Sequence, residues 1–186
     1  MLIGLIADTH IPRNAKILPP HVRTAFQGVE LIIHAGDIYT PAVLDALEKI
    51  APVLAVSGNG DWDFPPDPRF QRSQVINTGG LSIGAIHGIN YPPVPQYPIE
   101  GVMEREFGQI VDVLVFGDTH VAIVDRYNGT LLINPGSPTL PNGLFELGTV
   151  GLLEIAGSEV SARIVDLNDL PLSFYPELVY YRGAGA

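Results

Sequence analysis

The chain has 186 residues, 46% of them hydrophobic and only 16% charged, a composition of packed globular proteins and not of disordered ones. Twenty acidic side chains against ten basic ones give a net charge of −10. That balance argues against a broad grip on nucleic acid or on an anionic membrane, since both need faces rich in Lys and Arg. With no cysteine, a disulfide framework, a thiolate zinc site, an iron–sulfur cluster and a cysteine nucleophile are excluded, and the cytoplasm is the expected location.

Leu2–Ala7 opens a series of short continuous apolar runs, and it reaches Asp8 with no basic leader before it. No run approaches the ~18 residues of a membrane span, so residues 1–186 are expected to form one soluble domain that begins at Met1. Leu31–Ile33, Val53–Val56, Leu81–Ile86, Val113–Phe116 and Leu131–Ile133 continue the series. Uninterrupted runs of this length predict strands buried on both faces.

Helical patterns lie between them. Pro19 or Pro20 can open a helix with Val22, Ala25, Phe26 and Val29 on one side. Thr40 predicts an N-cap before Pro41, Val43, Leu44 and Leu47. A third pattern sets Ile99, Val102, Met103, Phe107 and Ile110 on one face, weakened by Gly101 and Gly108.

The remainder reads as β structure: Val121–Asp125, Thr130–Ile133, Thr149–Ile155 and Val160–Val165, with turns at Asn128-Gly129 and Gly157-Ser158. An α/β fold is expected, with a second, more antiparallel sheet packed on the first. The Pro-rich stretches Phe64–Pro68 and Tyr91–Pro98 predict rigid loops, and Arg182–Ala186 a frayed tail.

The residues just beyond each apolar run carry the chemistry. Asp8-Thr9-His10 comes after the first and His34-Ala35-Gly36-Asp37 closes the second. Ser57-Gly58-Asn59, His87-Gly88 and Gly117-Asp118-Thr119-His120 end three more. In an α/β sheet, ligands bind beyond the carboxyl ends of the strands, so these side chains are placed to converge. Carboxylate, amide and imidazole donors without sulfur suit Mn²⁺, Fe or Zn²⁺. Seven candidate donors exceed one ion's needs, whereas two ions sharing a carboxylate would use all of them. Two such ions can activate a bridging water for in-line attack on phosphorus, with no side-chain nucleophile.

Asp8-x-His10, Gly36-Asp37, Gly58-Asn59, His87-Gly88 and Gly117-Asp118-Thr119-His120, in this order, resemble the calcineurin-like metallophosphoesterases. Asn134-Pro135-Gly136-Ser137 and the chain length make the sequence similar to the small YfcE-type phosphodiesterase branch, which also holds the phosphoesterase-fold subunit of retromer. The resemblance implies a two-sheet β-sandwich flanked by helices, and two divalent ions, Mn first with Fe, Zn, Ni or Mg as alternatives. It implies that Asp8, His10, Asp37 and His120 hold the first ion, with Asp37 bridging, and that Asn59 and His87 hold the second.

The family's fourth ligand to that second ion is a histidine where this chain has Asp118, which adds negative charge and is expected to move the pH optimum upward. Gly60 stands where many relatives carry a histidine able to protonate a leaving group, and Ile89 where they have His-Gly-His. Arg13 and His34 are further candidates, for substrate contact and ligand orientation. The expected activity is hydrolysis of a small phosphate ester, a diester before a monoester, by a metal-bridging hydroxide. A homodimer is implied by the resemblance alone. A catalytically weak scaffold that binds protein partners is the alternative, supported by Asp118 and Gly60. A nuclease is disfavoured by the acidic balance and by having only Lys16 and Lys49.

Overall fold

A computed structural model describes residues 1–140, 147–157 and 159–171. Ser158 of the expected second turn and the expected loose tail lie outside them. In chain order the elements are β1 (Leu2–Ile6), α1 (His21–Ala25), β2 (Leu31–His34), α2 (Pro41–Leu47), β3 (Val53–Val56) and a 3-10 turn, Asn59–Asp63. Then come β4 (Phe70–Gln71), β5 (Ser73–Thr78), β6 (Leu81–Ile86), α3 (Ile99–Phe107), β7 (Val113–Val115), β8 (Ile123–Tyr127) and β9 (Thr130–Asn134). β10 (Thr149–Ala156), β11 (Glu159–Asp166) and a 3-10 turn at Leu167–Asp169 complete them.

The strands form two sheets, ordered β11-β10-β1-β2-β3-β4 and β5-β6-β7-β9-β8. Alternation along β1 shows why its run is wholly apolar. Ile3, Leu5 and Ala7 face the space between the sheets, where they meet Ile83, Ala85, Val113, Val115, Leu131 and Ile133. Ile6 points the other way, into a layer with Val22 and Phe26 of the α1 segment and Val43, Leu44 and Leu47 of α2. On the far side of the second sheet, Ile99 and Met103 of α3 pack with Leu114, Phe116 and Leu132. The result is the expected helix–sheet–sheet–helix arrangement.

Register carries this core to the site. β1, β2 and β3 run parallel with Ile6 beside His34 and His34 beside Ala55. β6, β7 and β9 run parallel with Ala85 beside Val115 and Val115 beside Ile133. Each group therefore ends level, and the segments after the strands emerge side by side.

Several boundaries differ from expectation. The C-terminal hairpins do not build one antiparallel second sheet: β8 and β9 join the second, while β10 and β11 extend the first by pairing β10 with β1. β5 was not expected, because an edge strand with one partner needs no apolar run, and Ser73-Gln74-Val75-Ile76-Asn77-Thr78 has none. α3 stops at Phe107 with Gly108 left-handed (φ +71°), which leaves Ile110 44% exposed and off the helical face. β8 starts at Ile123, two residues later than predicted. The Asn128-Gly129 hairpin forms as read, both residues at positive φ and Tyr127 paired with Thr130.

Two close fits test this packing. A Cβ at Gly84 would stand 2.6 Å from Cε2 of Phe107, so Gly84→Ala is expected to lower stability by about 1–3 kcal/mol in urea denaturation, and Phe107→Leu to recover part of the loss. His34, the last residue of β2, is wholly buried. Burial, then the neighbouring charges of His87 and His10, lowers its pKa from 6.5 to about 3. A base neutral in the fold stabilises it fully above the unfolded pKa, and that contribution is lost as pH falls from 6.5 toward 3. Metal-free His34→Gln is expected to lose less stability over that window than metal-free wild type, by a few kcal/mol at the acid end.

Candidate metal centre

The seven candidate donors come from five strand ends, and the backbone there is unusual. Among the described residues, seven non-glycines have positive φ, and five of them are Asp8 (+53°), His10 (+47°), Asp37 (+55°), Asp118 (+70°) and His120 (+58°). Each left-handed residue of this kind costs on the order of 1 kcal/mol or more, and such strain gathers at functional sites. The sixth, Tyr39 (+73°), touches His10, and the seventh, Asn128, is in the hairpin. Left-handed residues turn the segments after β1, β2 and β7 back over their strand ends, whereas those of Asn59 and His87 have none.

Two groups of donor atoms each lie within 4.8 Å of one another: Asp8, His10 and His120, and Asp8, Asp37 and His87. Asp37 spans the two halves. Its Oδ2 is 3.4 Å from His10 Nε2 and its Oδ1 is 3.5 Å from His87 Nε2. Asp8 Oδ1 lies 3.7 Å from His10 Nε2 and 3.6 Å from His120 Nε2. Asn59 Oδ1 is 3.0 Å from His87 Nε2, and Asp118 Oδ1 is 3.7 Å from the same nitrogen. Asp118 stands at the mouth with its side chain half exposed.

The donor set fits a cation. His87 Nδ1 donates to the Ala35 carbonyl at 2.7 Å, so a neutral ring turns the Nε2 lone pair toward the oxygens of Asn59, Asp37 and Asp118. His10 Nε2 is buried with no hydrogen-bond partner, between the carboxylates of Asp8 and Asp37. Lone pairs that face one another in this way need a positive centre between them. Without one, burial pushes the Asp8 carboxyl above its usual range, opposed by His10, His87 and His120. Glycines allow the approach: a Cβ at Gly58 would stand 2.1 Å from Asp37 Oδ1, and one at Gly36 2.5 Å from His87 Nδ1.

The other two candidates lie outside this cluster. His34 sits behind it, with Nε2 3.2 Å from Thr9 Oγ1, and so contacts the residue between Asp8 and His10. Arg13 is on the rim, paired with Asp63 at 3.1 Å and set over the rings of Tyr39 and Phe64.

The residues that brace the donors, Asp61, Asn134 and Ser137, read in the sequence as ordinary loop and turn residues. Asp61, 5% exposed, accepts the backbone N–H groups of Gly58 (2.7 Å), Ile38 (2.8 Å) and Tyr39 (2.6 Å), and so ties the Asn59 turn to the Asp37 loop. The signal was its place three residues after Gly58, the N-cap of the 3-10 turn. Asn134 donates to the Gly117 carbonyl (2.8 Å) and to Thr119 Oγ1 (3.0 Å), which steadies the loop of Asp118 and His120. Ser137 donates to the Asp8 carbonyl at 2.7 Å. Asp61→Ala is expected to leave three N–H groups unpaired and to lower stability by about 3 kcal/mol or more in urea denaturation of the metal-free chain.

Residues 1–158 match the model of the calcineurin-like phosphoesterase superfamily domain. The chain is 39% identical over 165 residues to a probable metallophosphoesterase of Methanothermobacter thermautotrophicus, covering 89% of this chain and 92% of that one. It is 25% identical over 183 residues to a phosphodiesterase of Methanocaldococcus jannaschii, covering 89% of this chain and 100% of the relative. Among solved structures, vacuolar protein sorting 29 from Cryptosporidium parvum is similar, with a TM-score of 0.73, 29% identity and coverage of 90% and 92%. Sequence, fold and the converging donors agree, and the chain belongs to the calcineurin-like phosphoesterase superfamily.

Proposed function

We propose that this protein is a phosphodiesterase that hydrolyses a small phosphate ester with two divalent metal ions, Mn²⁺ before Fe, Zn, Ni or Mg. The observation that carries the reading is Asp37, whose two carboxylate oxygens face His10 on one side and His87 on the other. Asp8, His10, Asp37 and His120 would hold one ion, and Asp37, Asn59, His87 and Asp118 the other. When bound, the ions supply an activated water and positive charge for the phosphoryl oxygens.

The chain's own residues set the rest. The two hydroxyls packed against the Asp8 segment, Thr9 and Ser137, are buried, Thr9 against His34 and Ser137 donating to the Asp8 carbonyl. Neither is open to a substrate, which suits attack by water. The half-exposed Asp118 marks where substrate enters. Beside it opens a cleft of about 400 Å³ lined by Gly88, Ile89, Asn90, Tyr97 and Arg105, a volume that suits a small organic ester. The phosphodiesterase of M. jannaschii supports the diester preference.

The likeness to vacuolar protein sorting 29 favours a second reading, a scaffold that binds protein partners. Retention of Asp8, His10, Asp37, Asn59 and His87 speaks against it, because a scaffold has no use for converging lone pairs. Metal content and hydrolysis of chromogenic di- and monoesters separate the two. Two ions per chain are expected, with Mn²⁺-dependent turnover of the diester that falls more than about 100-fold in Asp37→Asn. Absence of turnover with Mn, Fe, Zn, Ni and Mg alike would overturn the enzyme reading and support the scaffold. The fully loaded Asp118→His variant is expected to reach its optimum at lower pH than wild type.

A further inference from the structure

Each histidine that offers Nε2 to a cation must carry its proton on Nδ1, and that N–H needs an acceptor. For His87 the acceptor is the backbone carbonyl of Ala35. For His10 it is a side chain: Tyr39 Oη lies 2.6 Å from Nδ1, with the two rings edge to face at 4.7 Å. Tyr39 is buried and held from several directions. Its ring stacks on Phe64 at 4.6 Å with the planes 12° apart, the Arg13 guanidinium covers it, and its N–H is bound by Asp61.

The same ring decides what position 60 can be. A Cβ at Gly60 would stand 2.3 Å from Tyr39 Cε1, 2.6 Å from Oη and 2.8 Å from Cζ. The ring cannot swing aside without breaking the Phe64 stack and the contact with His10, so position 60 is closed by packing. Its backbone is used, since the Gly60 N–H donates to Asp37 Oδ1 at 2.8 Å.

We propose that Tyr39 is the positioning residue for His10, and that Tyr39 and Gly60 form one packing unit in which the phenol fills the space of any side chain at position 60. The role toward His10 rests on the reading of the cluster as a metal centre. It deepens that reading, because no side-chain proton donor for the leaving group can stand at position 60 while Tyr39 is present.

The test uses the full metal-free chain, with circular dichroism as the control for folding. In calorimetric titration with Mn²⁺, Tyr39→Phe, which keeps the ring, is expected to lose about 10- to 100-fold in affinity at one of two sites. Unchanged affinity at both sites overturns the positioning role. In metal-free thermal melts, Gly60→Ala is expected to lower Tm in the wild-type background and to have no further effect on Tyr39→Ala. Equal losses in both backgrounds overturn the packing unit. The melts read Tyr39 and Gly60 with no metal present, so a wild-type chain that takes up no Mn²⁺ overturns the metal reading, and with it the role toward His10, while the melts still decide the packing.

Discussion

Asp8 is where the two sheets are joined at the level of the site. Its backbone N–H donates to Gly36 beyond β2, its carbonyl accepts from Ser137 beyond β9, and its carboxylate accepts from the backbone of Asp118 beyond β7. One residue thus fixes the relative height of three loops from two sheets, while its carboxylate oxygens also face His10 and His120. The convergence of the other donors depends on this tie. Parallel register brings strand ends level within each sheet, but only contacts across the interface can align one sheet's ends with the other's.

The arrangement is costly in two ways. Five donors sit in left-handed backbone, and carboxylates lie close together with little solvent around them. Structure of this kind persists only where its surroundings over-determine it. The interior between the sheets supplies that support, being closed by Ile3, Leu5, Ile33, Val113, Val115 and Ile133 directly beneath the donor loops. The buried hydrogen bonds of Asp61 and Asn134 add to it within the loops themselves.

Much of this was legible from residue order because burial and chemistry change abruptly at the same points. A strand buried on both faces must be continuously apolar, so its end shows clearly in Ala7-Asp8 or Phe116-Gly117-Asp118. A one-sided edge strand such as β5 leaves no such mark. Which sheet receives a hairpin is a matter of non-local pairing. β10 and β11 have the same local pattern whether they extend the first sheet or build a second. The donors themselves were legible because they share chemical type and position. Tyr39 and Asp61 were not, since their importance lies in contacts across loops: Tyr39 with a histidine 29 residues away, and Asp61 with amides 22 and 23 residues away. The Asn134–Ser137 turn has the local pattern of a mere connector, yet it braces the centre through contacts of the same non-local kind.

The bonds that hold the donor loops run from protein to protein. Asp8 to Gly36, His10 to Asp37, Asp61 to three amides and Asn134 to Gly117 all close without a cation. In small metal-dependent domains, by contrast, bonds to the metal do the work of such a frame. Here the hydrogen bonds that shape the donor loops take no cation as a partner, so the course of those loops is written into the chain's own backbone and side chains. A substitution at Asp61 or Asn134, outside the donor set, can therefore displace the donors as surely as a change in one of them.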